Sequence, residues 1–286
     1  MKVQPPPESE IQRIVQAALA EDVGSGDVTT LATVPESSVA SAKMVARESM
    51  MICGLDVAVK AFQNVSPDLS FEKFVADGSR AEKGATLMRI SGSTRALLTG
   101  ERVALNFVQR LSGISTLTAQ FVEAVKGTRA KILDTRKTTP GLRLLEKYAV
   151  TCGGGQNHRI GLFDMILIKD NHLVALRNEP PNAIEAAVRR AREKFPQMKV
   201  EVEADTTEQV EQALLAGADV ILLDNMSLSE MRDAVSFVNG RAKTEASGGV
   251  NLQTVRAIAE TGIDFISVGA LTHSARAVDI GLDFEL

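Results

Sequence analysis

Five basic side chains fall within a short stretch of the chain: Arg136, Lys137, His158, Arg159 and Lys169. Arginine offers a planar fork that meets a carboxylate or phosphate with two hydrogen bonds, and lysine offers a point charge. Arg136 and Lys137 stand side by side in ILDTRKTTPG (132–141), after an apolar run that ends at Asp134. Adjacent residues on an extended strand face opposite ways, so both can meet one ligand only where the strand has ended. The Thr138-Thr139-Pro140-Gly141 turn indicates that it has. His158 and Arg159 close CGGGQNHR (152–159), whose three glycines permit close backbone approach to a ligand. Residues 130–175 hold seven Lys or Arg against four acids, a local excess of +3 in a chain of net charge −4. A positive field within a negative body suits a small anionic ligand better than a polyanion. A solvated loop with surface ion pairs would explain any one of these residues. Five of them at successive strand ends and loops favour a shared anion.

Acids accompany the cations. Glu203 and Asp224 end consecutive apolar runs. Beside a cation-rich pocket, such a pair can hold sugar hydroxyls, bind Mg²⁺ together with substrate phosphates, or offset positive charge at a reacting carbon. Pairing with Lys169 or Arg159 is a compatible structural role. EASGGV (245–250) and SVGAL (267–271) place small residues after the last two runs, where backbone N–H groups can meet a phosphate. The three histidines show no metal-ligand spacing.

The elements that must position these residues form two patterns. Ser9 and Gln12 have capping-box spacing ahead of an amphipathic helix that runs to Asp22. Residues 1–8, with three prolines, read as disordered, and DVGSGDVTT (22–30) reads as a turn. A strand over 38–48, a helix over 54–64 and two strand-like runs in 71–92 follow. A helix over 94–111, closed by Gly113, completes a mixed α+β domain. Beyond it, a helix over 115–126 leads into six apolar strands (130–134, 163–168, 198–204, 219–224, 242–247 and 264–270) separated by helices. That repetition means a parallel sheet covered on both faces. Polar residues or glycines collect at the C-terminal ends of the strands. A barrel gathers all such ends on one face, whereas an open sheet uses only those at a switch point. The expected fold is therefore α/β: a domain over residues 1–113, joined by the tail 271–286, plus an open (β/α) barrel of about six strands over 114–270.

Composition removes several function classes. The net charge of −4, 4% aromatic content and absence of Trp argue against a nucleic-acid surface. No apolar run approaches the roughly 20 residues that span a bilayer. Two cysteines are too few for a disulfide framework and, with no apolar leader at the N-terminus, lead to an expected cytoplasmic location.

The runs LDTRKTTPGLR (133–143), GGGQNHRIGLFDMILIKDNH (153–172), VEVEAD (200–205), ILLDNM (221–226) and EASGGV (245–250) together closely resemble the quinolinate phosphoribosyltransferase family. EDVGSGDVTT (21–30) and GERVALNFVQRLSGI (100–114) extend the resemblance over nearly the whole chain. It implies an N-terminal α/β sandwich and an open barrel. It also implies conversion of quinolinate and phosphoribosyl pyrophosphate to nicotinate mononucleotide, pyrophosphate and CO₂, with Mg²⁺. By position, it puts Arg136, Lys137, His158, Arg159 and Lys169 around the quinolinate carboxylates and nearby phosphates. Glu203 and Asp224 match the residues that contact the phosphoribosyl group, and Ser247-Gly248-Gly249 and Val268-Gly269-Ala270 match phosphate loops. Lys137, Lys169, Glu203 and Asp224 are the expected catalytic groups, with Glu203 and Asp224 the expected Mg²⁺ contacts, direct or through substrate. Arg102 matches an arginine that enters a neighbouring subunit's site, which implies a homodimer or hexamer. Two alternatives stay open: a related phosphoribosyltransferase with another acceptor, and a Schiff-base lyase using Lys169.

Overall fold

The fold was analysed on a computed structural model that describes residues 5–285. The expectation for residues 1–4 therefore lies outside the described residues, and residues 5–7 carry no regular structure. The chain forms two compact units: residues through Ala119 with Thr138–Gly154 and everything from Leu271 onward, and a second of Gln120–Lys137 with Gly155–Ala270.

The first unit is built on a four-stranded antiparallel sheet. Its spatial order is Ile280–Glu285, Val39–Ala46, Thr86–Ser93 and Ser70–Lys73. The chain tail is thus a sheet strand, with Ala42 opposite Phe284 and Met44 opposite Leu282. Along Val39–Ala46 the buried positions are Ala42, Met44 and Ala46, the period-two pattern of a strand with one covered face. Helix Leu55–Val65 buries Leu55, Val57, Ala58, Ala61 and Phe62, an apolar stripe at helical spacing.

Three local expectations are corrected here. The first helix, Glu8–Val23, starts one residue before Ser9, with Pro7 as its N-cap and no side-chain cap. The Pro7 carbonyl accepts from the N–H groups of Glu10 and Ile11, so the helix begins on backbone bonds and Ser9 lies inside it. The stretch expected to be only a turn breaks at Gly24 (φ +53°) and then starts a short helix, Val28–Thr33, whose Thr30 N–H donates to the Asp27 carboxylate at 3.0 Å.

The third correction is the largest. Gly113 does not end a helix. A single helix, Thr94–Ala124, runs through it for 31 residues. Glycine is required there for space. A Cβ at 113 would sit 2.0 Å from the carbonyl oxygen of Arg276, where the tail passes against the helix. A close backbone crossing and a helix stop leave the same glycine in the sequence.

The second unit carries six parallel strands: Lys131–Leu133, Ile166–Ile168, Val200–Ala204, Val220–Asp224, Lys243–Ser247 and Phe265–Ser267. The second to sixth are neighbours in sequence order, and the sixth pairs back onto the first (Phe265 opposite Lys131). This order closes a ring everywhere except between the first and second strands, so the sheet is an open barrel rather than a doubly wound sheet. The free edge of the first strand is not bare. Gln156 pairs with Leu133, with Gln156 N donating to Ile132 O at 2.9 Å and Asp134 N to Gln156 O at 3.1 Å. The loop after the three glycines thus covers that edge. Replacing Gly113 with Ala should destabilise the chain by about 1–3 kcal/mol through overpacking against the tail; a urea titration showing no loss would contradict the crossing.

Candidate active site

Asp134, fully buried, follows the first barrel strand. Its carboxylate accepts from the backbone N–H of His158 at 2.9 Å and from Asn157 Nδ2 at 2.6 Å. One buried acid therefore fixes the loop that carries His158 and Arg159, and this explains the aspartate that ends an apolar run. After Asp134 the chain leaves the sheet, as the turn residues indicate, with Lys137 N donating to Thr135 Oγ1 at 3.0 Å. In the first unit the fully buried Glu146 tethers the following turn. Its carboxylate accepts from Thr139 N at 3.0 Å and Thr139 Oγ1 at 2.8 Å, and it pairs with Arg110 at 3.0 Å.

Parallel-strand geometry sorts the acids into two layers. All five residues of Val200–Ala204 are buried, and alternation gives one face to Val200, Val202 and Ala204 and the other to Glu201 and Glu203. Residues two apart on a strand differ in height by about 6.6 Å. Glu203 is nearer the C-terminal mouth. Its Oε2 pairs with Lys169 Nζ at 2.5 Å, and oxygens of Glu203, Asp205 and Asp224 lie within 4.8 Å of one another. Ser247 is the register partner of Asp224, so the phosphate-loop candidate on the fifth strand adjoins this acid group. Asn225 sits in the left-handed region at φ 55° and its Nδ2 donates to Asp224 at 2.8 Å. Gly248 packs so closely on Asn225 that a Cβ would fall 2.1 Å from Asn225 Oδ1. Val268, Gly269 and Ala270 follow the sixth strand, with Val268 N bonded to Leu133 O at 2.9 Å.

The deeper layer holds His158, Glu201 and Glu245. His158 Nε2 is 3.0 Å from Glu201 Oε2 and 3.6 Å from Glu245 Oε1. Burial, followed by the nearby Glu201 charge, pushes the Glu245 carboxyl up to about 8. Arg159 is the residue after His158, and its backbone N–H donates to His158 Nδ1 at 2.7 Å. Burial and then the charge of Arg136 lower its guanidinium pKa, while Glu201 and Asp164 act in the opposite sense. The charge of Arg136 therefore reaches Arg159.

The structure thus brings Lys169, Glu203 and Asp224 together at the mouth, with Ser247 in register beside Asp224, and sets Arg159 against His158 and within the field of Arg136. Lys137 is exposed on the loop after the first strand, and Arg102 is exposed on the helix Thr94–Ala124 of the first unit. The sequence reading assigned no site role to Asp205, Glu201 or Glu245. For Glu201 a signal was present: in a strand covered on both faces, an acid alternating with valines must point into the barrel. Because Glu245 binds its proton more tightly folded than unfolded, its contribution to stability is complete below about pH 4.5 and is lost as pH rises to about 8. Relative to Glu245→Gln, the wild-type chain should therefore lose stability over that window, by at most about 1.4 kcal/mol per pH unit; urea titrations at pH 5 and 8 would show parallel behaviour if the acid were not buried as described.

Comparison with known proteins bears directly on this arrangement. The family models described as the N-terminal and C-terminal domains of quinolinate phosphoribosyl transferase match residues 27–112 and 114–283. The chain is 45% identical over 275 residues to a Mycobacterium leprae protein named nicotinate-nucleotide pyrophosphorylase [carboxylating], covering 94% of this chain and 95% of that one. A chloroplastic protein of the same name from Arabidopsis thaliana is 42% identical over 303 residues, covering all of this chain and 86% of its own length. The solved structure of the nicotinate-nucleotide pyrophosphorylase from Francisella tularensis superposes with a TM-score of 0.93 at 38% identity, covering 100% of this chain and 99% of that one. Two adjoining domain matches and full-length relatives above 40% identity leave one conclusion: the chain belongs to the quinolinate phosphoribosyltransferase family.

Proposed function

We propose that this chain transfers the phosphoribosyl group of phosphoribosyl pyrophosphate to quinolinate and releases CO₂, giving nicotinate mononucleotide and pyrophosphate for NAD biosynthesis. The observation that carries this reading is the make-up of one barrel, which holds the Lys169–Glu203 pair with Asp205 and Asp224 at its mouth and an Arg159 that feels the charge of Arg136. Quinolinate carries two adjacent carboxylates on a pyridine ring, so its site needs clustered cations. Phosphoribosyl pyrophosphate carries an anomeric carbon that becomes positive as its bond to pyrophosphate breaks, so its site needs carboxylates.

The chemistry follows from these charges. The pyridine nitrogen lone pair forms a bond to the anomeric carbon while the carbon–oxygen bond to pyrophosphate breaks. Glu203 and Asp224 offset the charge growing on the sugar carbon, and Lys137 and Lys169 meet the charge leaving with pyrophosphate. Arg136 and Arg159 hold the acceptor's carboxylates, with His158 beside them. Ser247-Gly248-Gly249 and Val268-Gly269-Ala270 present backbone to the sugar phosphate. Once transfer is complete the ring nitrogen is cationic. The carboxylate beside it then leaves as CO₂, its bonding electrons remain on the ring carbon next to that nitrogen, and a proton replaces it. No separate electron sink is needed.

Glu203, Asp205 and Asp224 offer hard carboxylate oxygens close together, a donor set that fits Mg²⁺. When bound with the substrate, Mg²⁺ supplies neutralisation of the pyrophosphate charge. We assign Arg102 to the site of a neighbouring subunit in a homodimer or hexamer, in keeping with its exposure. No helix among the described residues is long and apolar enough to cross a membrane. Two buried, unpaired cysteines fit the reducing conditions of a cytoplasmic location. Lys169 is held against Glu203 rather than sunk among apolar side chains, the environment of a Schiff-base lysine, so the transferase reading is favoured over the lyase.

Release of CO₂ from carboxyl-labelled quinolinate, dependent on phosphoribosyl pyrophosphate, tests the reaction. Preference for nicotinate or nicotinamide as acceptor, with no CO₂ released, would reassign the chain to a different acceptor. Lys137→Ala should lower turnover roughly 10²–10³-fold; turnover near that of the wild type would return Lys137 to a solvated loop. Arg102→Ala should be folded and inactive, and mixing it under subunit exchange with Lys137→Ala should restore part of the activity. No restoration would remove the shared site.

A further inference from the structure

His158 has both ring nitrogens turned toward protein. Nδ1 accepts from the backbone N–H of Arg159 at 2.7 Å. A nitrogen that accepts cannot also carry the proton, so in this geometry the hydrogen sits on Nε2. That nitrogen faces inward, 3.0 Å from Glu201 and 3.6 Å from Glu245. Glu201 is 0% exposed and Glu245 2%. Both Glu201 oxygens and Glu245 Oε1 lack an aligned protein donor. Two carboxyl groups so placed are costly to retain in a barrel interior unless they serve the groups above them.

We infer that Glu201 is a positioning residue: it holds His158 as the Nε2–H tautomer, and His158 in turn orients the backbone and guanidinium of Arg159 rather than binding substrate through its own ring nitrogens. The chain of contacts is continuous. Glu201 attracts the Nε2–H. The ring then presents Nδ1 as an acceptor for Arg159 N. Asp134 fixes the same peptide segment from the other side through His158 N. The Arg159 side chain, so aimed, donates from Nη1 to Met165 O at 3.3 Å and remains coupled to Arg136. Glu245 completes the layer as the second carboxyl, its affinity for a proton raised by burial and then by the charge of Glu201. The reverse tautomer would place an N–H on Nδ1 against the Arg159 N–H and leave Nε2 an acceptor 3.0 Å from Glu201 Oε2. Such an arrangement repels at both ends.

This assignment rests on the reading of Arg159 as a holder of the acceptor's carboxylates, and its test separates the two. The first measurement is ¹⁵N NMR of histidine-labelled wild-type protein without substrate at neutral pH. Only His172 and His273 accompany His158, so a His158→Asn sample identifies its signals. The expected signature is a protonated Nε2 and an unprotonated Nδ1. A proton on Nδ1, or a His158 ring that samples both tautomers, overturns the proposal whatever the enzyme's substrate. The second is steady-state kinetics. Glu201→Ala should raise KM for quinolinate roughly 10–100-fold while KM for phosphoribosyl pyrophosphate stays within about threefold, since misaiming a holding group acts on one substrate. Glu201→Gln, which keeps an oxygen facing Nε2, should recover most of that loss. Equal change in both KM values, no change in either, or loss of a stoichiometric divalent metal in Glu201→Ala would each overturn it. Should Glu201→Ala fail to fold, the tautomer measurement and Glu201→Gln decide. If the wild-type enzyme proves inactive on quinolinate, the functional reading fails while the NMR result stands.

Discussion

Positive charge can be concentrated inside a barrel only where carboxylates share the space. Burial, followed by the charge of Arg136, disfavours the charge of Arg159. The structure answers with acids at two depths. Glu203 and Asp224 stand at the mouth, within reach of Lys169, and Glu201 and Glu245 stand beneath. Without the lower pair the cup would be a set of repelling cations over an apolar interior. Without the upper pair the proposed transfer would have no carboxylate at the mouth to offset charge developing on a sugar carbon.

The topology makes this possible. A closed ring of six strands would leave no way in for the loop after the three glycines. The ring is open between the first and second strands, and Gln156 occupies the first strand's free edge. Asp134, at the end of that strand, then holds the next two residues of the loop. His158 and Arg159 reach the interior because the sheet is incomplete at that point. Glycine at 153 has a related cause: a Cβ there would lie 2.4 Å from the Ser115 carbonyl, so the segment passes where only glycine fits.

The regular elements were largely legible, because apolar periodicity and cap residues are local signals. Asn182, Thr206 and Ser227 each cap a helix that follows, with side-chain acceptors for the N–H groups of Glu185, Gln209 and Glu230. The basic residues and the mouth acids were legible because their types and their positions after apolar runs require a reason. Gly113 was misread because a glycine that admits a crossing backbone and one that ends a helix look alike along the chain. Glu201 was passed over because its role depends on which strands flank it, and on a histidine 43 positions earlier in the chain.

The sequence by itself determined the alternation of strands and helices, the cluster of basic residues beside acids, and the family, since these lie in residue type and order. Tertiary structure alone decided that the ring opens between its first and second strands, that the tail, expected to join the first domain, does so as an edge strand beside Val39–Ala46, and that the acids form two layers. Each of these is a matter of which distant segments pair and which face of a strand they enclose. Hydrogen-bond register and burial settle such choices in three dimensions, where residues far apart in the chain come within a few ångströms.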